Sequence, residues 1–266
     1  MDKEQNNKRN LFFITGKLGS GKSTVAKHFK YKNYDVISLD LMAKVSMNSH
    51  NFLIAKIKEV YGEEVLTKYS NINFDLLKNV YFEEQYDEGR KQFELMLDDC
   101  IINPLKSMVY NENKQNIPLF IEIPLVLKER YTRYTQALNP DNIIYVHSNN
   151  KDINDRLHKK GLSDKQIKNI TRLQEDDFDF ISTDSLVYKV GMITNFGTEE
   201  DLFNETTKFI KERIAPRLAM KSKMDMMVDY MDKISPYQIN EVICNLYKNT
   251  GGCASCPFPC EKCIEK

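Results

Sequence analysis

The chain has 266 residues, enough for one α/β domain of ordinary size and an appendage. Lys and Arg together number 38, as do Asp and Glu, so no overall field attracts nucleic acid or anionic lipid. No apolar run approaches the length of a membrane span. The first ten residues are polar and predicted to be disordered, and six cysteines without a secretion signal predict a reducing, cytoplasmic location.

The first predicted elements are a strand, a phosphate-binding loop and a helix. An apolar run at 11–14 leads into GKLGSGKS at 16–23, which matches G-x-x-x-x-G-K-[ST], and a helical segment, 24–30, follows. Glycines let successive backbone N–H groups converge on a phosphate, and the next helix adds its positive end. We therefore expect a nucleoside triphosphate here, with Lys22 neutralising the outer phosphates and Ser23 binding Mg²⁺. The expected nucleotide-binding residues are Gly16, Gly19, Ser20, Gly21, Lys22, Ser23 and Thr24.

A second strand is predicted at 35–38, with Asp40 just beyond its end. Carboxyl ends of neighbouring parallel strands open onto one crevice, so this carboxylate is expected to face the γ-phosphate and the acceptor. Asp40 is then either the base that takes the acceptor proton or a group that holds Mg²⁺ through water. The alternative is that Asp40 is the N-cap of a helix starting at Leu41.

Residues 52–108 have apolar residues at three- and four-residue spacing, which predicts helices. Such an insertion either closes over an acceptor or is plain amphipathic helix, and Cys100 within it is predicted to be a buried core thiol. A third, apolar strand is predicted at 117–123. Glu122, near the end of that strand, is either a metal-supporting group or a capping group.

A fourth strand at 143–147 precedes a cationic helix–turn–helix. The cations Arg156, His158, Lys159 and Lys160 precede Gly161, and a second helix is predicted to start near Ser163. These cations predict a lid over the transferring phosphoryl group, with a solvated helix surface as the alternative. The four histidines, which have no spacing partners, are expected to be surface or packing residues.

The last predicted strand, 188–194, leads through Asn-Phe-Gly to a helix at 199–213 with Thr198 as its N-cap. Alternating strands and helices predict an α/β fold: a parallel sheet with helices on both faces and helical acceptor and lid insertions. Residues 11–213 would form this domain, of the P-loop kinase type.

The C-terminal part is predicted to be a helical extension, 214–250, and a Cys-rich tail, 251–266. The tail contains two C-x2-C pairs, a spacing that is typical of zinc ligands. An iron–sulfur cluster is the less favoured alternative, and a cluster of reduced thiols without metal is the third. The extension is rich in Met, which favours packing against the kinase domain or a protein partner, and Cys244 is a further candidate ligand. The four expected metal ligands are Cys253, Cys256, Cys260 and Cys263.

Taken in order, these motifs resemble those of dephospho-coenzyme A kinases. The matching segments are GKLGSGKSTVAKHF, DVISLDLMAK, YGEEVL, IPLVLKE, RLHKKGLS, Gln174 and YKVGMITNFGTEEDL, and they span about 11–213. The resemblance implies that Asp40 is the base and Arg156 the first lid arginine. It also places Asn195 and Gly197 near the adenine of ATP, and it implies a magnesium-dependent step of coenzyme A biosynthesis.

The chain departs from that family on the acceptor side. Ser38 replaces the first acid of an Asp-x-Asp motif, Asn103-Pro104 replaces His-Pro, and the second lid arginine becomes Lys159 or Lys160. Lysine in place of arginine cannot bind an anion through two parallel hydrogen bonds, as a guanidinium group does. A (deoxy)nucleoside monophosphate therefore stays open as the acceptor.

Two classes of function follow from these residues. The first is ATP-dependent phosphorylation of a small-molecule hydroxyl, most like that of dephospho-coenzyme A. The second is an ATP-gated binding module whose metal tail docks a protein or, less favoured, a nucleic acid. Lys22, Ser23, Asp40 and Arg156 together favour the enzyme, because a pure nucleotide sensor needs no acceptor base.

Overall fold

The structure is a computed structural model that describes residues 8–123, 128–174 and 189–219. The sheet has five strands: β1 (Leu11–Thr15), β2 (Asp35–Ser38), β3 (Leu119–Glu122), β4 (Asn142–His147) and β5 (Lys189–Thr194). The helices that precede β3 are α1 (Lys22–Tyr31), α2 (Leu39–Ser49), α3 (Asn51–Tyr61), α4 (Phe74–Val80) and α5 (Asp87–Val109). Those that follow it are α6 (Lys128–Leu138), α7 (Asn150–Lys159), α8 (Asp164–Gln174) and α9 (Glu199–Phe209).

The sheet is entirely parallel, in the order β2-β3-β1-β4-β5, which confirms the predicted α/β class. The register aligns Ile14 of β1 and Ser38 of β2 with Glu122 of β3. The carboxyl ends of these three strands therefore meet at one edge, where ligands bind in open parallel sheets. The phosphate-binding loop leaves β1 at this edge.

Alternate residues of the central strands face two separate packing layers. Phe13 of β1 and Ile121 of β3 belong to a large core cluster that also contains residues from α2 to α6. Phe120, on the other face, stacks with Phe12 and packs against Phe29 of α1. Helices thus cover both faces of the sheet, which explains why its central strands are mostly apolar.

Helix α2 begins two residues earlier than the start predicted at Leu41. Its first residue is Leu39, and Ser38, in an extended conformation, occupies the N-cap position. Asp40 lies in the first turn rather than at the N-cap, so the capping interpretation of Asp40 is wrong. The reason is that β2 turns directly into the helix with no intervening loop.

Two other predicted features differ in detail. The predicted helix at 199–213 is α-helical only to Phe209 and continues as a π-helix, Ile210–Ile214. Thr198 is its N-cap as predicted, in a capping box with Asp201. Cys100 packs against the core cluster but stays partly exposed, because it lies on the edge of the buried face of α5.

The chain divides into two compact units, Met1–Arg213 and Ile214–Lys266, and the sheet and the site described below belong to the first. None of the helices in the described ranges combines the length and the apolar character needed to cross a bilayer. The predicted metal ligands of the tail and nearly all of the helical extension lie outside the described residues.

Candidate active site at the carboxyl edge of the sheet

The phosphate-binding loop adopts a backbone that depends on its glycines. Gly16, Gly19 and Gly21 have φ values of 143°, 84° and 108°, in the region that side chains disfavour. A Cβ atom on Gly16 would lie 2.3 Å from the carbonyl oxygen of Val146, the next strand's backbone. The loop therefore packs directly against β4, as a tight phosphate cradle requires.

Lys22 is the first residue of α1 and is buried at the base of this loop. Its ammonium group donates hydrogen bonds to the carbonyl oxygens of Gly16, at 2.7 Å, and of Lys17, at 3.0 Å. The charge of Lys22 is thereby held on the loop, where it can neutralise a bound phosphate.

Ser23 and Glu122 bring the start of α1 and the end of β3 together. The Ser23 hydroxyl donates a hydrogen bond to Glu122 Oε1 at 2.5 Å. Glu122 is buried, whereas Ser23 opens to solvent. The pair thus places a hydroxyl and a carboxylate oxygen, the ligand types that Mg²⁺ takes, beside the loop.

Asp40 lines a pocket that opens next to this pair. Its side chain is accessible from the pocket, but the walls around it limit its hydration, which raises its pKa above the ordinary carboxyl value. The negative charge of Glu122 raises the pKa further, while Lys22, Lys44 and Arg130 lower it. An accessible carboxylate with a raised pKa has the chemistry of a general base.

Arg156 and Asn195 tie the loop to the ends of β4 and β5. The Arg156 guanidinium donates to the carbonyl oxygen of Gly19 at 3.3 Å and to Asn195 Oδ1 at 3.1 Å. The Asn195 amide in turn donates to the carbonyl oxygen of Ser20 at 2.7 Å. Ser148, which had no predicted role, accepts from Arg156 at 2.9 Å and donates to the Asn195 carbonyl oxygen at 2.7 Å.

The structure brings only one of the predicted lid cations to the loop. Arg156 lies there, whereas Lys159 and Lys160 are exposed at the end of α7. Gly161, with φ of 81°, forms the predicted turn into α8. Leu173 of α8 lines the pocket, and the neighbouring Arg172 pairs with Asp87 of α5 at 2.7 Å.

The acceptor-side pocket contains a buried polar network that was not predicted from the sequence. Helix α5 carries Arg90, Glu94 and Asp98, all of them buried, at four-residue spacing. Side chains four residues apart lie on the same face of a helix. The sequence signal for this network was therefore three charged residues at four-residue spacing on a helix face that is otherwise apolar. The pocket is lined by Leu18, Leu39, Asp40, Ala43, Met47, Tyr81, Phe82, Arg90, Glu94, Leu97, Ile101, Ile123, Arg130, Tyr134 and Leu173.

Arg130 of α6 is held in this pocket by hydrogen bonds to both carboxylate oxygens of Asp98. Its Nε donates to Asp98 Oδ2 at 2.9 Å and its Nη2 to Oδ1 at 2.5 Å, a fork that fixes the guanidinium. The Tyr134 hydroxyl also donates to Asp98 Oδ1, at 2.8 Å. Burial and the neighbouring Asp98 carboxylate raise the pKa of Tyr134, so its hydroxyl stays a donor.

Two groups of residues expected to bind metal have different outcomes. Ser23 lies beside the Glu122 carboxylate. The described part of the chain contains no group of three or more His, Cys, Asp or Glu side chains arranged to hold a metal ion. Cys253, Cys256, Cys260 and Cys263 lie outside that part. Their predicted role stays a prediction.

Comparison with known proteins supports the reading of this edge as a kinase site. The family model described as dephospho-CoA kinase matches residues 11–185. A dephospho-CoA kinase of Aggregatibacter actinomycetemcomitans is 29% identical over 64% of this chain and 82% of its own length. One of Fusobacterium nucleatum is 24% identical over 74% of this chain and 94% of its own length.

A solved structure shares the fold. TT1252 from Thermus thermophilus superposes with a TM-score of 0.54 at 20% identity, covering 78% of this chain and 98% of its own. At that identity the likeness concerns the fold alone. The family model, by contrast, spans the loop, Asp40 and Arg156, and so the chain is an ATP-dependent kinase that belongs to the dephospho-CoA kinase family.

Proposed function

We propose that this chain transfers the γ-phosphoryl group of ATP to the ribose 3′-hydroxyl of dephospho-coenzyme A. One observation carries the proposal: Asp40, a carboxylate with a raised pKa, lines a pocket and interacts electrostatically with Lys22 of the phosphate loop. The acceptor hydroxyl and the donor phosphate would thus meet between a base and a cation. The family membership supports dephospho-coenzyme A as the acceptor.

The reaction follows from these positions. Asp40 takes the proton of the 3′-hydroxyl while the oxygen of that hydroxyl forms a bond to the γ-phosphorus of ATP. The bond between the γ-phosphorus and the oxygen that bridges it to the β-phosphorus breaks, and ADP is released. Lys22 neutralises charge on the transferring group. The Arg156 guanidinium donates hydrogen bonds to the Gly19 carbonyl oxygen and to Asn195, which places it beside the phosphate loop. In this position it would reach phosphates bound to the loop.

We propose Ser23 as the magnesium ligand, with Glu122 holding it in place. The Ser23 hydroxyl contacts the Glu122 carboxylate at 2.5 Å, and both are hard oxygen groups of the kind that bind this ion. When bound, Mg²⁺ would neutralise charge on the ATP phosphates. The adenine of ATP is proposed to lie near Asn195 and Gly197, which follow β5 beside the loop.

The test is phosphate transfer from ATP by purified protein across a panel of acceptors. Dephospho-coenzyme A should give coenzyme A and ADP in equal amounts, with kcat/KM well above that for any nucleoside monophosphate. Turnover of nucleoside monophosphates alone would replace the proposed acceptor with a nucleotide. Binding of ATP with no transfer to any acceptor would support the nucleotide-gated binding module instead.

We further propose that the tail thiolates Cys253, Cys256, Cys260 and Cys263 bind one metal ion, zinc ahead of an iron–sulfur cluster. Two C-x2-C pairs support this, because each places two sulfur ligands within reach of one ion. A protein that docks on this tail is part of the same proposal, supported by the Met-rich stretch before it.

A further inference from the structure

Arg90 is a buried guanidinium that makes no hydrogen bonds within the described part of the chain. The side chain is 1% exposed and lines the acceptor-side pocket. None of its three nitrogens makes a hydrogen bond to the described residues. A buried polar group left without hydrogen bonds destabilises the protein, more so when it is charged, and such a group in a pocket therefore indicates a missing ligand.

The carboxylates around Arg90 are engaged by other groups, except that Glu94 Oε2 makes no hydrogen bond to the described residues. Asp87 lies 3.0 Å from Arg90 Nη2, but both of its oxygens accept hydrogen bonds from Arg172 of α8. Glu94 lies 3.9 Å from Arg90 Nε and accepts from the Tyr81 hydroxyl at 2.9 Å. These neighbours offset the charge of Arg90 without filling its donor positions.

Arg130, the second arginine of the pocket, differs from Arg90 because its guanidinium makes hydrogen bonds. Arg130 donates through Nε and Nη2 to Asp98, which leaves less of its fork available. The ring of Phe82 lies 5.9 Å from the Arg90 guanidinium carbon and orients that group from one side. Arg90 is therefore an oriented set of donors in a pocket that also holds the base Asp40.

We infer that Arg90 binds the phosphate groups on the 5′ side of the acceptor and so selects a phosphorylated acceptor over a bare nucleoside. The inference rests on the proposed function, in which Asp40 meets the 3′-hydroxyl. Dephospho-coenzyme A carries a diphosphate on its ribose 5′-oxygen, and a planar guanidinium fork suits phosphate oxygens. Arg90 is thus assigned to acceptor specificity, not to the chemical step.

The ion pair with the lid helix gives this contact a second consequence. Asp87 links Arg90 on α5 to Arg172 on α8, and Leu173 of α8 lines the same pocket. A phosphate that binds Arg90 therefore binds beside Asp87 and Arg172, the ion pair that joins α8 to α5. The contact that holds α8 in place and the proposed recognition of the acceptor phosphate thus share one carboxylate, Asp87.

The experiment compares two acceptors in three variants. With saturating ATP, kcat/KM is measured for dephospho-coenzyme A and for adenosine, which has the 3′-hydroxyl but no phosphate. Arg90→Met should lower kcat/KM for dephospho-coenzyme A by about tenfold or more through KM, the scale of one lost charged hydrogen-bonding group. Its kcat/KM for adenosine and its KM for ATP should change by less than about twofold.

The matched control is Arg133→Met. Arg133 lies on α6 near Arg130, but it pairs with Asp99 outside the pocket, so both acceptors should keep their wild-type values. Arg90→Lys keeps the charge and loses the fork, and it should fall between wild type and Arg90→Met. If Arg90→Met does not fold, as judged by circular dichroism, Arg90→Lys supplies the same comparison.

The outcomes separate this inference from the proposed function. Equal losses for dephospho-coenzyme A and adenosine, or no loss for either, would overturn the role of Arg90 and leave the proposed function intact. If wild-type protein instead uses a nucleoside monophosphate and not dephospho-coenzyme A, the proposed function fails. A selective loss of that phosphorylated acceptor in Arg90→Met would then still support Arg90 as the phosphate-binding residue.

Discussion

The Ser23 hydroxyl and the Glu122 carboxylate are 2.5 Å apart, although 98 residues separate them in the chain. Ser23 follows the phosphate loop and Glu122 ends β3, so the contact couples the nucleotide side of the site to its neighbouring strand. The same Glu122 charge raises the pKa of Asp40. Glu122 thus connects the proposed metal ligand with the proposed base.

Removal of the Glu122 charge should change the pH dependence of the reaction. Asp40 acts when ionised, so activity is present above its folded pKa and is lost as pH falls through that value. Glu122 raises this pKa, and Glu122→Gln should therefore shift the acid limb of the kcat/KM profile to lower pH. The position of the limb, not the maximal rate, is the quantity to be measured.

A variant that should shift the acid limb in the opposite direction serves as the control. Lys44 is exposed on α2 and lowers the pKa of Asp40, so Lys44→Met should move the acid limb to higher pH. Shifts of both variants in one direction, or none, would mean that the limb reports a group other than Asp40.

Replacement of Lys22 should reduce catalysis strongly. Its ammonium group is held on the loop by the Gly16 and Lys17 carbonyl oxygens, in position for the outer phosphates. We expect Lys22→Ala to lower turnover by about a hundredfold or more, the scale for one preorganised electrostatic group. Steady-state kinetics with protein of native circular dichroism checks this, and unchanged turnover would contradict the role of the loop.

Asp40→Asn should separate chemistry from nucleotide binding. Asn keeps the size of the side chain but cannot take the acceptor proton, so kcat should fall steeply while ATP affinity stays within a few-fold. Equilibrium titration with ATP and single-turnover transfer measure the two quantities. If ATP binding is lost while bound complexes still react at the wild-type rate, Asp40 holds the metal instead.

The cysteine tail is expected to contain one metal ion per chain. Elemental analysis and the visible spectrum of untagged protein distinguish the metals, because zinc is colourless and an iron–sulfur cluster is coloured. Substitution of Cys253 and Cys256 by Ser should release the metal and leave ATP binding unchanged, since the sheet and the loop belong to a separate unit. Freely titratable thiols with no metal in the folded protein would refute the site.

The local parts of the fold were predictable from sequence. The strand, loop and first helix follow from one short pattern, because a tight turn of glycines before Lys22 and Ser23 depends on neighbouring residues alone. Apolar runs bounded by polar turns located the five strands to within two residues at each end. Asp40 was identified because carboxyl ends of parallel strands share one edge.

The parts that depend on distant contacts were decided by the tertiary structure. Asn195 reaches the carbonyl oxygen of Ser20 across 175 positions, and Arg130 reaches Asp98 across 32. Arg90 resembles any other charged residue of a helix until the residues that line the pocket pack around it. Local propensity is set by neighbours along the chain, whereas burial, pKa and unused hydrogen-bonding capacity arise only when separate elements pack together.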